Sequence, residues 1–531
     1  MAQIKTVLTD LENNCAKSDG NSPGQYRIDV AAIEYGGIRH HVESYLQKIY
    51  VFEDIEKFGV TGWLELRDAD NLISGFYNDH TIVGQELLFL KFRTEGSHLP
   101  VDFTKHPLHI HKIENVQSTG GVGVQKYRIH FCSPELLNND RIRISQAFEG
   151  TCDEIVTEIL TKHLKTMKSV WVEPTQNIFK VIIPNMHPFD AINFILKKSK
   201  SKDFKGMSNY NFYETTKGYR YKSLYVGSAA FLGSDGGSAP TFDQNTDWQI
   251  KYTYSPTKQS GTYLTEMLSA KSFRYLRLGD TLSAIQNGLF ASKSIEHDAL
   301  HKSYKVKAAT YIASDKDKEN PDISELVSVK ERIIKRPHIL PGHAYVPTGD
   351  KLNQTGQMPF EDSTTFTQFP DSRIFFHSTG TKHLYDFVND DGTVFTKDSG
   401  IDPLIRNQKE MQQQHDRYLQ LQIISHGVSG LQVGDSFTLE VPLIGPGGSQ
   451  GMGTKDPRMS NFGYYIIKLV HHIELHESNP YYECIIDMAP MAPGKSALPK
   501  KNNNAVLDGK DTASGSVGSF RGKRERQHEP D

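Results

Sequence analysis

The densest group of residues that could bind a metal lies in the segment 463–490, GYYIIKLVHHIELHESNPYYECIIDMAP. The segment carries three histidines, four acidic residues and one cysteine, Cys484. Because residues two apart on a β-strand share a face, His472, Glu474 and His476 would point the same way. Such a pair of histidines can hold zinc when a third ligand comes from elsewhere in the chain. The chemistry that this spacing suggests is therefore that of a zinc site.

A second segment, PLHIHKIE, places His109 and His111 two residues apart and raises the same question. The sequence supplies no clear third ligand to either pair of histidines. The structural interpretation, which we favour, is that both segments are amphipathic strands whose polar face meets water. We therefore expect no metal site, no catalytic residue and no cofactor-binding residue.

Two further segments suggest other chemistry. The glycine-rich stretch 445–455, GPGGSQGMGTK, lacks the Gly-Lys-Ser/Thr ending of a phosphate-binding loop and lies between strand-like runs, so we interpret it as a long hairpin loop. The run of Tyr219, Arg220, Tyr221 and Lys222 could stack nucleic-acid bases. An amphipathic hairpin with an aromatic face and a basic face is the simpler interpretation.

Composition limits the class of protein. The chain has 531 residues, of which 37% are hydrophobic and 23% charged, with a formal net charge of −3. The length suggests about three or four domains. The charge argues against a surface that binds nucleic acid along its whole length. The sequence has no apolar run approaching the 18 residues that would predict a membrane-spanning helix. The N-terminal residues lack the apolar core of a secretory signal.

The cysteines are widely spaced along the chain and form no Cys-x-x-Cys motif: they are Cys15, Cys132, Cys152 and Cys484. This usage predicts free, mostly buried thiols in a reducing compartment.

Local patterns predict mostly strands in 26–148 and helices in 150–201. Five strand-like runs separated by turn residues make up the first region. In the second, Thr151 and Glu154 form a capping box, and Pro188 stands at the start of a further helix. Residues 309–402 are polar and irregular, which indicates an insertion. The last residues, 492–531, are too polar to form a core and are expected to be disordered.

The chain also contains a weak internal repeat. IVGQELLFLKF (82–92) resembles QVGDSFTLEV (432–441), so that Gly84 matches Gly434. In the hairpins that follow, Lys112 matches Lys468 and Pro134 matches Pro490. The physical meaning of such a repeat would be two copies of one small antiparallel barrel in a single chain.

Four segments resemble the baseplate hub proteins of contractile-tailed bacteriophages, which join the tail tube to the central spike. They are VIIPNMHPFDAINFILKKS (181–199), FYETTKGYRYKSL (212–224), NGLFASKSIEHDALHKSYK (287–305) and the closing hairpin 463–490. None of them is a catalytic signature, so the resemblance concerns a fold and a position in the particle. The insertion and the basic tail RGKRER (521–526) depart from the pattern.

The resemblance implies a mainly β fold with an α/β insertion: two tail-tube-like antiparallel β-barrels, an inserted α+β domain and an extended insertion. The expected ranges are an N-terminal segment 1–25, a first barrel 26–148, an inserted domain 149–262, a second barrel 263–308 and 403–491, an extended insertion 309–402 and a disordered tail 492–531.

The resemblance also implies a function. We expect the protein to be a structural hub without enzymatic activity. It would be a homotrimer that forms a pseudo-sixfold ring between the sixfold tail tube and the threefold spike. Its partners would be itself, the tail tube protein, the central spike protein, baseplate wedge proteins and the tape measure protein. DNA would pass through its channel without specific binding, and no membrane would be involved. It would lie in the tail baseplate of the virion after assembly in the host cytoplasm.

Two alternatives remain open at this stage. The first is a metal-dependent hydrolase of cell wall or glycan, with His109, His111, His472 and His476 as ligands. The second is a nucleic-acid-binding protein that uses 219–222 and the basic tail. Metal content separates the first alternative from a hub, and salt-dependent DNA binding separates the second.

Overall fold

A computed structural model provides the coordinates. It describes the following residues, with gaps between them: 2–16, 22–70, 82–118, 123–176, 178–202, 210–223, 251–254, 262–278, 286, 291–298, 303–310, 373–379, 386–388, 394–396, 419–441, 463–475 and 480–490. Structural statements below concern these residues only.

The described residues of the first half of the chain form thirteen strands. They are β1 (Tyr26–Tyr35), β2 (Ile38–His41), β3 (Leu46–Asp54), β4 (Thr61–Asp68), β5 (Leu87–Thr94), β6 (Val101–Asp102), β7 (Leu108–Ser118), β8 (Gln125–Cys132), β9 (Ile144–Gly150), β10 (Val170–Val172), β11 (Phe179–Met186), β12 (Tyr210–Thr215) and β13 (Gly218–Ser223).

The second half supplies the remaining described strands. They are β14 (Lys251–Tyr254), β15 (Ser269–Leu278), β16 (Ala291–Asp298), β17 (Ser303–Thr310), β18 (Arg373–Thr379), β19 (Asp386–Val388), β20 (Val394–Thr396), β21 (Leu419–His426), β22 (Ser436–Glu440), β23 (Gly463–Glu474) and β24 (Tyr481–Pro490).

In the described part of the chain, helices are few and short. The described ones are α1 (Ala2–Asp10), continued by a π turn at Leu11–Cys15, α2 (Pro134–Arg141), α3 (Cys152–Glu158), continued by a π turn at Ile159–His163, α4 (Pro188–Leu196), a 3₁₀ turn at Glu43–Tyr45 and a short helix at Tyr263–Met267. The predicted capping box of Thr151 and Glu154 is present at α3. Pro188 opens α4 as predicted.

The second β unit is a closed barrel. Its six strands pair around a ring in the order β14, β15, β21, β24, β23, β22 and back to β14. The strand β14 belongs to this ring although it lies within the range 149–262 that was expected to form the inserted domain. Strands β16 and β17, which lie in the range expected for the second barrel, instead form a separate three-stranded sheet with β18.

The first β unit has seven described strands paired in the order β2, β1, β5, β7, β8, β4, β3, and the short strand β6 pairs with β5 beside this path. Its end strand β3 also pairs with β23 of the barrel, from Asp54 opposite Lys468 to Lys48 opposite Glu474. The two units therefore share one continuous sheet, and their buried apolar side chains form one hydrophobic core. Val7, Leu8 and Leu11 of the N-terminal segment are part of that core.

Five strands are duplicated between the two units. The spatial order β3, β4, β8, β7, β5 in the first unit corresponds to β15, β21, β24, β23, β22 in the second, and the chain visits both sets in the same sequence. Two irregularities recur at the same places. The β3–β4 ladder shifts between Leu46 and Lys48 as the β15–β21 ladder does between Ala270 and Ser272.

The second shared irregularity lies in the long hairpin. The β7–β8 ladder shifts between Ile110 and Lys112, and the β23–β24 ladder shifts between Ile466 and Lys468. Because a bulge is a specific extra residue with its own local bend, its recurrence beside both matched lysines supports a duplication beyond a general likeness of strands.

An α+β unit is inserted between the two β units. It consists of the β9–β11 pair, the sheet β10–β13–β12, and the helices α3 and α4, which together enclose a second hydrophobic core. Its strands β12 and β13 form the predicted aromatic hairpin around a Thr-Lys-Gly turn. The expected class, mainly β with an inserted α+β unit, is therefore confirmed.

Candidate functional site at the junction of the β units

The histidines of the closing hairpin lie at the junction between the two β units. His471 is fully buried, and its Nδ1 lies 2.7 Å from the hydroxyl of Tyr482 and 3.6 Å from Sγ of Cys484. Phe92 of the first unit contacts the ring of His471 edge-on, with centroids 5.9 Å apart. The histidine is therefore part of the core where the two units meet.

Burial keeps this cluster uncharged. It lowers the pKa of His471 to about 3 and raises the pKa of the Cys484 thiol to about 12. A cysteine acts as a nucleophile or metal ligand as the thiolate, which is scarce at such a pKa near neutral pH. The pair of His471 and Cys484 is thus a packing arrangement and has none of the activation that a catalytic cysteine needs.

His472, on the opposite face of β23, is covered by aromatic rings. Its ring stacks on Tyr50 of β3 with centroids 4.2 Å apart and meets Tyr481 edge-on. Its Nδ1 lies 2.9 Å from Oε1 of Glu483. Only 6% of the residue is exposed. The expectation that this face meets water is wrong for His472, because strand β3 of the first unit pairs with β23 and covers it.

The other pair of histidines lies on β7. His109 is half-buried, whereas His111 is exposed and occupies the bulge between Ile110 and Lys112. The bulge breaks the two-residue alternation on which a His-x-His site would depend. His130 on the neighbouring strand is the nearest described ring partner, with its centroid 6.2 Å from that of His111.

Among the residues that the structure describes, no group of three His, Cys, Asp or Glu side chains is arranged to hold a metal ion. His476 lies outside these residues, as does the glycine-rich segment 445–455. The predicted lack of metal, cofactor and catalytic residues therefore stays a prediction, for which elemental analysis of the purified protein is the test. Within the same described part of the chain, no helix has the length and apolarity needed to cross a bilayer.

Glu53 on β3 ties three parts of the chain together. Its carboxylate accepts hydrogen bonds from the backbone N–H of Thr216, at 2.7 Å, and from that of Val433, at 3.0 Å. Thr216 belongs to the turn of the inserted unit and Val433 to the turn before β22. Burial raises the pKa of Glu53 to about 7, although both hydrogen bonds favour the charged form. The carboxyl group of Glu53 therefore connects the first β unit, the inserted unit and the second β unit through hydrogen bonds.

A second buried polar cluster joins the inserted unit to the first β unit. The ammonium of Lys168 donates to Glu135 at 2.6 Å and to Oε1 of Glu214 at 2.5 Å, and Oε2 of Glu214 accepts from the N–H of Val60 at 2.8 Å. Burial alone lowers the pKa of Lys168, but the two carboxylates outweigh it and raise that pKa. The cluster fixes how the inserted unit docks.

The suggested base-stacking platform is not available on the surface. Tyr219 and Tyr221 are fully buried in the core of the inserted unit, and Tyr219 stacks on Phe212 with centroids 5.3 Å apart. Arg220 and Lys222 alternate with them on the other face of β13. The amphipathic-hairpin interpretation is confirmed, and these rings cannot stack bases. All four cysteines are free and buried, as the sequence predicts.

Sequence reasoning missed the residues that hold the junction. Strand β3, LQKIYVFED, contains the run Ile-Tyr-Val-Phe of β-branched and aromatic residues, and this composition could have identified it as a strand. Nothing in the sequence indicated that Glu53 at its end is buried. The cluster of Lys168, Glu135 and Glu214 joins residues far apart in the chain, so no local pattern could reveal it.

No family model and no curated protein matches this chain. Solved structures do show similarity. A tail protein from Neisseria meningitidis MC58 has 8% sequence identity and a TM-score of 0.43, over 87% of this chain and 96% of that one. The 43 kDa tail protein of prophage MuSo2 from Shewanella oneidensis has 9% identity and a TM-score of 0.44, over 88% and 98% of the two chains.

The prophage tail protein gp18 from Listeria monocytogenes has 8% identity and a TM-score of 0.38, over 87% of this chain and 95% of that chain. All three similar structures are tail proteins. Their TM-scores all lie below 0.5.

Proposed function

We propose that this protein is a structural hub of a phage tail baseplate, without catalytic activity of its own. Three copies would form a ring of six similar β units between a sixfold tail tube and a threefold central spike. The single observation that supports the proposal most is the duplication of five strands, with two bulges at equivalent positions, inside one chain.

The physical reason is one of symmetry. A chain with two equivalent β units presents six near-equivalent surfaces when three copies assemble, while the parts that differ between the units keep threefold symmetry. Here only the second half is interrupted by the insertion expected at 309–402. The β3–β23 ladder already joins two such units side by side within one chain.

The division into domains given above is part of this proposal, with β14 added to the second barrel and β16 and β17 placed outside it. The proposed partners are the tail tube protein, the central spike protein, wedge proteins and the tape measure protein, with DNA passing through the ring. The proposed location is the tail baseplate of the virion, reached after assembly in the host cytoplasm.

Mass in solution tests the trimer. An obligate ring would bury about 2,000 Å² or more per pair of subunits and should resist dilution. Light scattering after size exclusion should give three times the chain mass of 59.9 kDa, at high and at low protein concentration. A monomer or a dimer at all concentrations would contradict the proposal.

A further inference from the structure

Among the residues that the structure describes, the second half of β7 has one edge along which no strand is paired. Between Lys112 and Ser118, β7 pairs with β8 on one side. On its other side the described ladder, with β5, includes only Leu108 and His109. Val116 is 54% exposed. An edge strand of this kind presents backbone N–H and C=O groups that can pair with another strand.

The corresponding segment of β23 is in a different environment. From Lys468 to Glu474 it lies between β24 on one side and β3 on the other, and most of its side chains are buried. The second half of the long hairpin's first strand is therefore paired on both sides in the second unit, where it is β23, and on one described side in the first unit, where it is β7. The strand that pairs with β23 on its outer side is β3, the end strand of the first unit.

The strand that corresponds to β3 in the second unit is β15. It pairs with β21 along its length. On its other side, the described partner β14 reaches only Ser269 and Ala270. Beyond that point Arg274 and Leu276 are exposed, the latter by 41%. Each chain thus has one edge that corresponds to that of β3, on β15, and one that corresponds to that of β23, on β7. These two edges do not pair with each other within the chain.

We propose that β7 of one copy pairs antiparallel with β15 of a second copy, and so repeats between chains the β3–β23 ladder that exists within each chain. The strand that pairs with the β7 edge comes from a second copy of this protein, because the equivalent contact, the β3–β23 ladder, already exists within each chain. This inference rests on the proposed function and specifies which surfaces close its ring.

The duplication also predicts the register. Each of the two edge strands has one further ladder shift that its counterpart lacks, between Glu114 and Gln117 in β7 and between Tyr275 and Arg277 in β15. Counted along the partner strands β8 and β24, Gln117 opposite Lys126 corresponds to His472 opposite Glu483. Tyr50, which lies opposite His472, corresponds in the same way to Arg274. The contact between copies should therefore place Gln117 opposite Arg274.

The charges at a neighbouring position are complementary. The same correspondence places Glu114, which within its own chain pairs with Lys112 and His130, opposite Arg277, so that an acid faces a base. Opposite charges directly across a ladder stabilise strand pairing. The two edges differ from each other, so the interface is head-to-tail and can close into a ring.

Disulfide trapping tests the register. The variant with Gln117→Cys and Arg274→Cys should form covalent dimers and trimers under mild oxidation, because directly opposed residues have Cβ atoms close enough for a disulfide. The four native cysteines are buried, so the unmodified chain should give little cross-linking. Each single variant should remain uncross-linked, and a mixture of the two single variants should stop at dimers.

The outcomes separate this inference from the proposed function. A trimer by mass that does not cross-link would overturn the β7–β15 pairing and leave the proposed function standing. Cross-linking of Gln117→Cys alone would also overturn it, because it would show two β7 edges meeting. A monomer by mass would overturn both proposals.

A charge swap provides a second test that needs no oxidation. Glu114→Arg should weaken association by about tenfold or more, and combining it with Arg277→Glu should restore association. Glu158→Arg, on α3 of the inserted unit, is the control: Glu158 is partly exposed and ion-paired with Lys162, as Glu114 is with Lys112, and its substitution should leave the mass unchanged. Failure of the double variant to recover association would contradict the predicted register.

Discussion

At the scale of single residues, the junction depends on buried polar groups, and Glu53 is the clearest of them. The alternation of β23 correctly placed His471 on the face of Ile473 and Leu475, because the period of a strand is local. The burial of Glu53 and the covering of His472 were not predictable, since both depend on strands that come from distant parts of the sequence.

Glu53 should make stability depend on pH. Burial raises its pKa from 4.5 to about 7, so the folded chain holds this proton more tightly than the unfolded chain. Its contribution is fully present below about pH 4.5 and is lost as the pH rises to about 7, by up to roughly 3 kcal/mol. Glu53→Gln should lose one hydrogen-bond acceptor, at a cost of about 1–3 kcal/mol, and should flatten this pH dependence.

Urea unfolding at several pH values between 4 and 8 measures the effect. The difference in unfolding free energy between Glu53→Gln and the unmodified protein should shift in favour of the variant as the pH rises. The exposed Glu12→Gln is the control and should follow the unmodified protein throughout. Parallel curves for Glu53→Gln and the unmodified protein would show that Glu53 does not titrate in this range.

At the scale of elements, the predicted strands, the capping box and the aromatic hairpin are confirmed because each is specified by neighbouring residues. The repeat was located well at the lysines, which both follow a bulge. It was one residue off at the prolines, because Pro490 pairs with Tyr464 and so corresponds to Ser133, the residue before Pro134. Strands β16 and β17 were misassigned since pairing with the distant β18 leaves no local signal.

The two glycines matched in the sequence provide a prediction at this scale. The ladders place them one residue out of step, because Leu87, three residues after Gly84, corresponds to Ser436, two residues after Gly434. Both have a positive φ, +92° at Gly84 and +83° at Gly434. A Cβ at Gly84 would meet nothing closer than 3.8 Å, whereas one at Gly434 would lie 2.2 Å from the hydroxyl of Tyr213. Gly84→Ala should therefore cost about 1–2 kcal/mol from backbone strain alone.

Gly434→Ala should cost a further 1–3 kcal/mol or so, since Tyr213 must move within a packed core. Thermal and urea unfolding of the two variants, each compared with the unmodified protein, measures the difference. Equal destabilisation by the two substitutions would mean that the turn before β22 does not pack against the inserted unit as described.

At the scale of the whole molecule, the central claim is that one chain carries two equivalent β units which alternate around a ring. The most direct measurement is an electron micrograph of the purified protein averaged over end-on views. The account predicts a closed ring with a central channel, six lobes of similar size and threefold symmetry, in which alternate lobes differ where the second unit is interrupted. Single compact particles, or a ring whose lobes do not number six, would contradict it.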